Sequence, residues 1–133
     1  MGWLGIDTRT NGHSVISWVE GEQIETVQVE GKAARALPVI ARLLEGRASQ
    51  VEGVLVASGP GTFSSIRTGV LYANLVSRLK QVPLIEVLEE EASPANYPRL
   101  IQEYRLGTRQ AASYIAPVYD REPNITTPRA PTV

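Results

Sequence analysis

The chain has 133 residues, 43% of them hydrophobic, and 13 Lys and Arg against 14 Asp and Glu give a formal net charge of −1. This length makes one domain that buries roughly two-thirds of its unfolded surface, and the balanced charge excludes nucleic-acid binding by bulk electrostatics. The sequence contains no cysteine, which excludes disulfides, thiolate metal sites and a cysteine nucleophile.

Three short strands are predicted at the start of the chain. Residues 3–7 form an apolar run, and Asn11-Gly12 then predicts a type I′ turn into a second strand at residues 13–19. Residues 23–30 form a third β-prone run. We therefore expect an antiparallel three-stranded meander. No apolar run approaches the roughly 18 residues of a membrane span, so we also expect a soluble, cytoplasmic protein.

The next segment, residues 32–45, predicts an amphipathic helix. Its apolar residues recur at steps of three and four, which places them on one face. Pro38 lies inside this pattern and lacks a backbone N–H, so it predicts either a bend or a late start of the helix. Gly46 marks the end of the helix.

A glycine-rich turn follows, between a buried strand at residues 54–58 and a helix at residues 64–80. A phosphate loop is one interpretation, because a helix N-terminus attracts anions; however, the spacing fits neither common nucleotide fingerprint. The other interpretation, which we prefer, is a helix capped by Thr62 or Ser64 that packs closely at Gly69 and Ala73. The residues assigned to this structural turn are Gly59, Pro60, Gly61, Thr62, Phe63 and Arg67.

The remaining segments predict a short strand at residues 84–87, one helix at residues 97–110 and a flexible tail. Both earlier helices carry more apolar surface than one contact with a sheet requires. We therefore expect something besides the sheet to cover them; the alternative is a helix sandwiched within its own domain, for which so short a chain has few elements left. Arg67 either holds the glycine turn through carbonyl groups or meets an acidic partner.

Several of these motifs together resemble one protein family. Residues 5–8, the hairpin, the helix containing residues 37–40 and above all residues 58–69 are similar to the bacterial TsaB (YeaZ) proteins. These are non-catalytic relatives of TsaD proteins and serve the biosynthesis of threonylcarbamoyladenosine at position 37 of tRNA. Ser65 stands where the family usually has a further glycine.

The end of the chain carries a second similarity. Residues 116–121 are similar to the family's C-terminal P-x-Y-x-R signature, but the segment before them is too short for the usual second lobe. The resemblance implies a shortened member: an actin-like ATPase lobe at 1–88, a remnant of the second lobe at 89–121 and a tail at 122–133. The implied α/β fold is a single actin-like ATPase (ribonuclease H-like) lobe with a mixed five-stranded sheet in ββαβαβ order, an N-terminal antiparallel meander and a short C-terminal helical segment.

The resemblance implies a scaffold that binds and activates a TsaD-like protein, without catalytic residues, cofactor or metal of its own. A TsaE-like ATPase would bind nearby, tRNA would be contacted only indirectly, and the chain would form a homodimer when its partner is absent. The implied partner interface comprises Leu37, Ile40, Leu44, Ile66, Gly69, Val70, Leu71, Ala73 and Leu75.

Three alternatives stay open. Asp7 and Thr8 stand where kinases of the fold bind metal and phosphate, so in one interpretation they are a vestige of a phosphate-binding hairpin. In the other interpretation their side chains hydrogen-bond to backbone groups at the end of the strand. In the first case the chain is a nucleotide-binding half-domain that completes an ATP cleft with another subunit. A peptidase triad can be drawn from Ser58 or Ser64 with His13 and Asp7, although such a match has little weight.

Overall fold

A mixed five-stranded sheet lies at the centre of the computed structural model, which describes residues 1–118. The strands are β1 (Gly2–Thr10), β2 (His13–Glu20), β3 (Gln23–Glu30), β4 (Val51–Ala57) and β5 (Leu84–Val87), in the order β3-β2-β1-β4-β5. The first three strands pair antiparallel, whereas β4 runs parallel to β1 and β5 runs parallel to β4. The predicted α/β fold, the meander and the five strands are confirmed. The predicted order ββαβαβ needs correction, because three strands and not two precede the first helix.

The turn between β1 and β2 differs from the prediction. Thr10 pairs with His13 across a two-residue turn in which Gly12 has φ +81°. A type I′ turn needs positive φ at both central residues, but Gln81 alone among the described non-glycine residues has one. The type I′ assignment of Asn11 is therefore wrong. The register between β1 and β2 shifts between Asp7 and Thr10, and such an irregularity changes the local twist of the strands.

Helices cover both faces of the sheet. Helix α1 (Ala36–Leu43) and helix α2 (Phe63–Lys80) lie on one face, and helix α3 (Tyr97–Arg105) lies on the other. Alternate residues of each strand point to opposite faces, so β1 contributes Leu4 and Ile6 to the α1/α2 side and Trp3 to the α3 side. The core is thus two apolar layers separated by one sheet.

The helix boundaries follow from local chemistry. A 3-10 turn at Ala33–Arg35 precedes α1, and Pro38 falls in the first turn of the helix, where backbone N–H groups have no helical partner. The late start is therefore confirmed. Helix α3 ends at Arg105, earlier than the predicted residue 110, because Gly107 takes φ +83° just beyond it.

The P-x-Y-x-R segment lies only partly within the described residues. Residues 119–121 and the tail predicted at 122–133 lie outside them. The division into a first lobe and a second-lobe remnant remains a prediction, although α3 packs directly on the sheet through Tyr97, Leu100 and Ile101. Within residues 1–118, no helix combines the length and apolar character needed to cross a bilayer.

A candidate partner surface on the helical face

The glycine turn brings two distant segments of the chain into contact. Gly59 has φ +127°, and a Cβ atom placed there would collide with the carbonyl oxygen of Val118. A Cβ atom on Gly61 would lie 2.8 Å from the carbonyl oxygen of Arg9. Both positions therefore need glycine for a close backbone approach, and not only to make the turn.

Two amide groups of this turn are bonded within the chain. The N–H of Gly61 donates to the carbonyl of Val118 at 3.2 Å, and the N–H of Thr62 donates to the carbonyl of Arg9 at 3.4 Å. The N–H of Val118 in turn donates to Ser58 at 2.7 Å. Because an anion site needs free donors, this arrangement favours the packed-turn interpretation over the phosphate loop.

The predicted side-chain cap is not formed. Thr62 occupies the N-cap position of α2 with an extended backbone, but its side chain makes no capping bond. Its hydroxyl is buried without a hydrogen-bond partner among the described residues. Ser64 lies within α2, where its carbonyl accepts a bond from Thr68 at 2.9 Å. The expectation that Thr62 or Ser64 caps the helix is therefore wrong, because tertiary contacts of the backbone hold the turn.

Asp7 and Thr8 both bond to groups of this chain. The guanidinium of Arg9 donates to both oxygens of Asp7 at 2.9 Å, and the Arg9 amide donates at 3.1 Å. Bonding to Asp7 raises the pKa of Arg9 above its usual value. The Thr8 hydroxyl is buried and donates to the carbonyl of Ser65 at 2.7 Å. This geometry favours the interpretation that both side chains hydrogen-bond to backbone groups near the end of the strand.

Gly69 sets the distance between α2 and the sheet. A Cβ atom at this position would collide with the side chain of Thr8, and Ala73, one turn later, is completely buried. The small residues predicted to allow close packing therefore do so against β1 and within the core of this chain.

The nine predicted interface residues fall into three groups by their burial. Five of them pack against the sheet and cannot meet a partner in the folded chain, because each helix turns these side chains toward its own core. Leu44 is half-buried against the same core, which leaves Leu37, Leu71 and Leu75 exposed. The five buried residues, for which the interface prediction needs correction, are Ile40, Ile66, Gly69, Val70 and Ala73.

An apolar row runs along the exposed side of α2. Leu71, Leu75 and Leu79 are 62%, 48% and 72% exposed, and Phe63 is 48% exposed. The Arg67 guanidinium lies over the Phe63 ring, 5.0 Å from its centroid. These five residues recur every fourth position, a spacing that makes a ridge able to pack into a groove of another helix. The ridge extends over roughly 24 Å at 1.5 Å per residue.

A groove borders this ridge, and no sequence pattern predicted it. It has a volume of about 370 Å³ and lies between α2 and the segment that contains Tyr114 and Pro117. Asn74 holds that segment in place, since its side chain bonds both the N–H and the carbonyl of Ile115. The predicted interface also lacks Phe63 and Leu79, although Leu79 lies four residues after Leu75 and Phe63 lies eight residues before Leu71.

The structure does not assemble the Ser-His-Asp triad that the sequence allowed. The Ser58 hydroxyl donates to Glu86 at 2.6 Å, His13 lies 3.0 Å from Glu30, and Asp7 pairs with Arg9. Across the described part of the chain, no group of three or more His, Cys, Asp or Glu side chains could hold a metal ion.

No protein-family model matches the sequence, and no curated protein matches it either. Solved structures do share its fold. YeaZ from Pseudomonas aeruginosa superposes with a TM-score of 0.62 at 19% identity, covering 79% of this chain and 50% of that one. An uncharacterized protein with similarity to peptidase YeaZ, also from P. aeruginosa, gives 0.61 at 21% identity over 78% of this chain and 48% of its own.

A nucleic-acid enzyme has the same architecture. RuvC from Thermus thermophilus, in complex with a Holliday junction substrate, gives a TM-score of 0.58 at 11% identity and covers 84% of this chain and 99% of its own. The chain thus spans about half the length of the YeaZ structures and matches RuvC over nearly its full length. The protein therefore has the ribonuclease H-like fold that the YeaZ and RuvC structures share.

Proposed function

We propose that this chain is a TsaB-like, non-catalytic scaffold subunit that binds and activates a TsaD-like protein in threonylcarbamoyladenosine modification of tRNA. The observation that carries the proposal is the exposed ridge of α2, formed by Phe63, Arg67, Leu71, Leu75 and Leu79. The sequence motifs that resemble TsaB and the fold shared with YeaZ support it independently. The proposed complex is cytoplasmic.

The ridge is suited to bind another helix. Its three leucines lie on one rigid helix whose buried side packs against β1 and β4, so binding requires little ordering of the free chain. Removing a leucine side chain from water contributes roughly 1.5–3 kcal/mol. Leu37 on α1 extends the apolar surface to a second helix, which suits a contact between two helices of each protein.

The proposed role is to hold the partner in its active form. A scaffold does this by binding the active conformation more tightly than the inactive one. Catalysis and tRNA contact belong to the TsaD-like partner in this proposal, and a TsaE-like ATPase binds near the same junction. The internal bonds of Asp7 and Thr8 support a scaffold, because these side chains are engaged within the chain.

Substitution of the ridge tests the proposal. Leu71→Asp and Leu75→Asp place a charge on exposed positions, so the fold should persist while binding to the TsaD-like protein of the same genome falls by at least roughly 100-fold. Binding is measured by isothermal titration calorimetry and folding by circular dichroism. Leu106→Asp is the matched control, since Leu106 is 68% exposed and lies after α3 on the other face.

The result decides between two outcomes. Loss of binding in the Leu71 and Leu75 variants, with unchanged binding of the Leu106 variant, supports the proposed interface. Wild-type affinity in all three variants would show that the ridge of α2 is not the contact surface. Absence of any complex between the unaltered proteins would refute the proposed function itself.

A further inference from the structure

The two edges of the sheet are covered to different degrees. Strand β5 has four residues, and the segment after α3 covers it, since the N–H of Ala112 donates to the carbonyl of Leu84 at 2.8 Å. Strand β3 has eight residues, and within residues 1–118 no strand pairs with its outer side. An edge strand of this length offers a row of free N–H and C=O groups to another chain. The β3 edge is therefore the place where a further strand can join this sheet.

The pairing of β2 with β3 shows which backbone groups point outward. In an antiparallel pair, hydrogen-bonded and non-hydrogen-bonded residue pairs alternate, and the register between these two strands runs without a shift. The N–H of Gly31 donates to the carbonyl of Gly12 at 2.9 Å. Every second residue before Gly31 therefore bonds to β2, and the residues between them turn their N–H and C=O groups outward. The four outward residues are Ile24, Thr26, Gln28 and Glu30.

The hairpin of β2 and β3 is acidic. Residues 11–31 contain four glutamates and neither lysine nor arginine. Arg47 pairs with Glu25 at 3.0 Å, and Glu30 lies 3.0 Å from His13. Opposite charges on neighbouring strands stabilise their pairing, and like charges oppose it. The hairpin therefore favours an incoming strand that carries lysine or arginine.

A groove next to β3 can receive a side chain of that strand. It has a volume of about 340 Å³ and lies between β3 and α1. Its lining combines three apolar side chains with two carboxylates and two guanidinium groups, whose formal charges balance, so it suits an apolar side chain. In strand addition, backbone bonds provide affinity and such side-chain sites provide specificity. The apolar residues are Val27, Val39 and Leu43, and the charged ones are Glu25, Glu45, Arg42 and Arg47.

We propose that β3 receives an extended, basic segment of a partner protein as an additional strand of the sheet. The segment places lysine or arginine beside Glu25 and Glu30 and an apolar side chain in the groove at Val27. The acidic hairpin disfavours a nucleic acid or an anionic membrane, since both present negative phosphate groups. The inference goes beyond the proposed function and is independent of it, because α2 packs against β1 and β4, away from the β3 edge. The exposed face of α1 and α2 stays available to the TsaD-like protein or to a second copy.

A synthetic peptide tests the proposal. The probe is Lys-Thr-Thr-Val-Thr-Lys-Val with blocked termini, which in antiparallel pairing puts its lysines beside the two glutamates of β3 and its central valine at the groove. Amide hydrogen exchange is followed residue by residue by nuclear magnetic resonance, with the peptide at up to about 2 mM in about 50 mM salt. The outward amides of Thr26 and Gln28 should exchange about fivefold more slowly or less with the peptide bound. The amides of Val27 and Val29, already bonded to β2, should change little.

Two altered peptides separate backbone pairing from charge. N-methylation of the threonines opposite Thr26 and Gln28 removes the donors that face β3, so this peptide should protect neither amide. A peptide with glutamate at both lysine positions keeps the backbone donors and should bind at least about tenfold more weakly.

Matched variants of the protein test the same two features. Glu25→Gln/Glu30→Gln should weaken binding of the lysine peptide by roughly tenfold. Glu89→Gln/Glu90→Gln removes two exposed carboxylates that follow β5 at the other edge and should leave binding unchanged. Thr26→Pro removes one outward N–H without removing a bond to β2, so it should abolish peptide binding. Each variant must keep the circular dichroism spectrum of the wild type.

The outcomes separate this inference from the proposed function. No protection by the lysine peptide, or equal protection by the lysine and glutamate peptides, would overturn the inference. Protection of Thr26 and Gln28 that rises with the concentration of the chain alone would assign the edge to a second copy and overturn it as well. The TsaD-like protein should bind the Thr26→Pro variant as tightly as the wild type, and loss of that complex would place the TsaD-like protein on β3 and contradict a separate partner. Absence of a complex with the unaltered chain would refute the proposed function alone, because the peptide experiment does not involve that protein.

Discussion

At the scale of single residues, Gly69 determines how closely α2 packs against β1. A methyl group there would collide with Thr8, whose hydroxyl is committed to the carbonyl of Ser65 at 2.7 Å. Alanine is favoured over glycine in a helix by roughly 1 kcal/mol, so the two effects oppose each other. We expect the steric collision to outweigh the gain in helix propensity, because β1 is a central strand of the sheet and cannot move away from α2.

Gly69→Ala should therefore lower the free energy of unfolding by roughly 1–3 kcal/mol, measured by urea denaturation. Ser64→Ala, on the exposed side of the same helix, is the control and should change it by less than about 0.5 kcal/mol. Combining Gly69→Ala with Thr8→Ala should cost less than the sum of the two single changes, because the second change removes the colliding atoms. Strict additivity would contradict this account.

Tyr97 links stability to pH in the alkaline range. Burial raises the pKa of its hydroxyl, and the nearby carboxylate of Asp7 raises it further. Above pH 10.0, the ordinary pKa of tyrosine, the unfolded chain releases this proton while the folded chain keeps it. The stabilising contribution is therefore complete below that pH and is lost as the pH rises above it.

Tyr97→Phe should remove this part of the alkaline decline. The free energy of unfolding of the wild type should fall more steeply than that of the variant between about pH 9 and pH 11. The difference between the two proteins isolates Tyr97 from the other titrating residues. Parallel curves over this range would show that the hydroxyl ionises equally easily in both states.

At the scale of elements, the side chain of Asn74 fixes the part of the segment after α3 that contains Ile115. The Asn74 amide group donates to the carbonyls of Val70 and Ile115 at 2.9 Å, and its oxygen accepts from the Ile115 N–H at 3.0 Å. Ile115 is buried in the same core cluster as α2. From there the chain continues to Val118, which bonds Ser58 and Gly61 at the glycine turn.

Asn74→Asp should release this segment, because a carboxylate offers no donor to the two carbonyl oxygens. We expect a loss of roughly 1–3 kcal/mol in the free energy of unfolding and faster hydrogen exchange at the Ile115 amide. Gln102→Ala on α3, whose side chain is exposed, is the control. Unchanged exchange at Ile115 in the Asp variant would show that other contacts hold the segment.

At the scale of the whole molecule, the two faces of the sheet differ in the side chains that they expose. The α3 face carries arginines that are paired with carboxylates, whereas the α1/α2 face carries the leucine ridge. The N–H groups of the glycine turn donate to the carbonyls of Arg9 and Val118. The amides of Gly61 and Thr62 are therefore engaged within the chain, while the leucine ridge stays exposed.

We therefore expect magnesium ATP to leave the melting temperature of this chain unchanged. A ligand at about 100 times its Kd would stabilise the fold by roughly 2.7 kcal/mol, which thermal denaturation detects easily. The TsaD-like protein, added instead, should raise the melting temperature. A shift with ATP, together with slower hydrogen exchange at Thr8, would favour the nucleotide-binding half-domain.

The elements of this fold were largely predictable from the sequence. The apolar run of β1 and the three- and four-residue steps in α1 are patterns of residues close together in the sequence, and such patterns indicate strands and helices. The same applies to Pro38, whose missing N–H places it in the first turn of α1 wherever that helix packs. The resemblance of residues 58–69 to one family added the layout of the lobe.

The candidate site depended on contacts between residues far apart in the sequence. Apolar residues occur on two sides of α2, and the sequence alone does not say that Ile66 and Val70 meet the sheet while Leu71 and Leu75 stay exposed. The bonds of the glycine turn reach Arg9 and Val118, which lie more than fifty residues away in each direction. Local patterns therefore determined which elements form, and the packing of distant segments decided which of their residues remain free to bind, because burial belongs to the assembled core and not to the single helix.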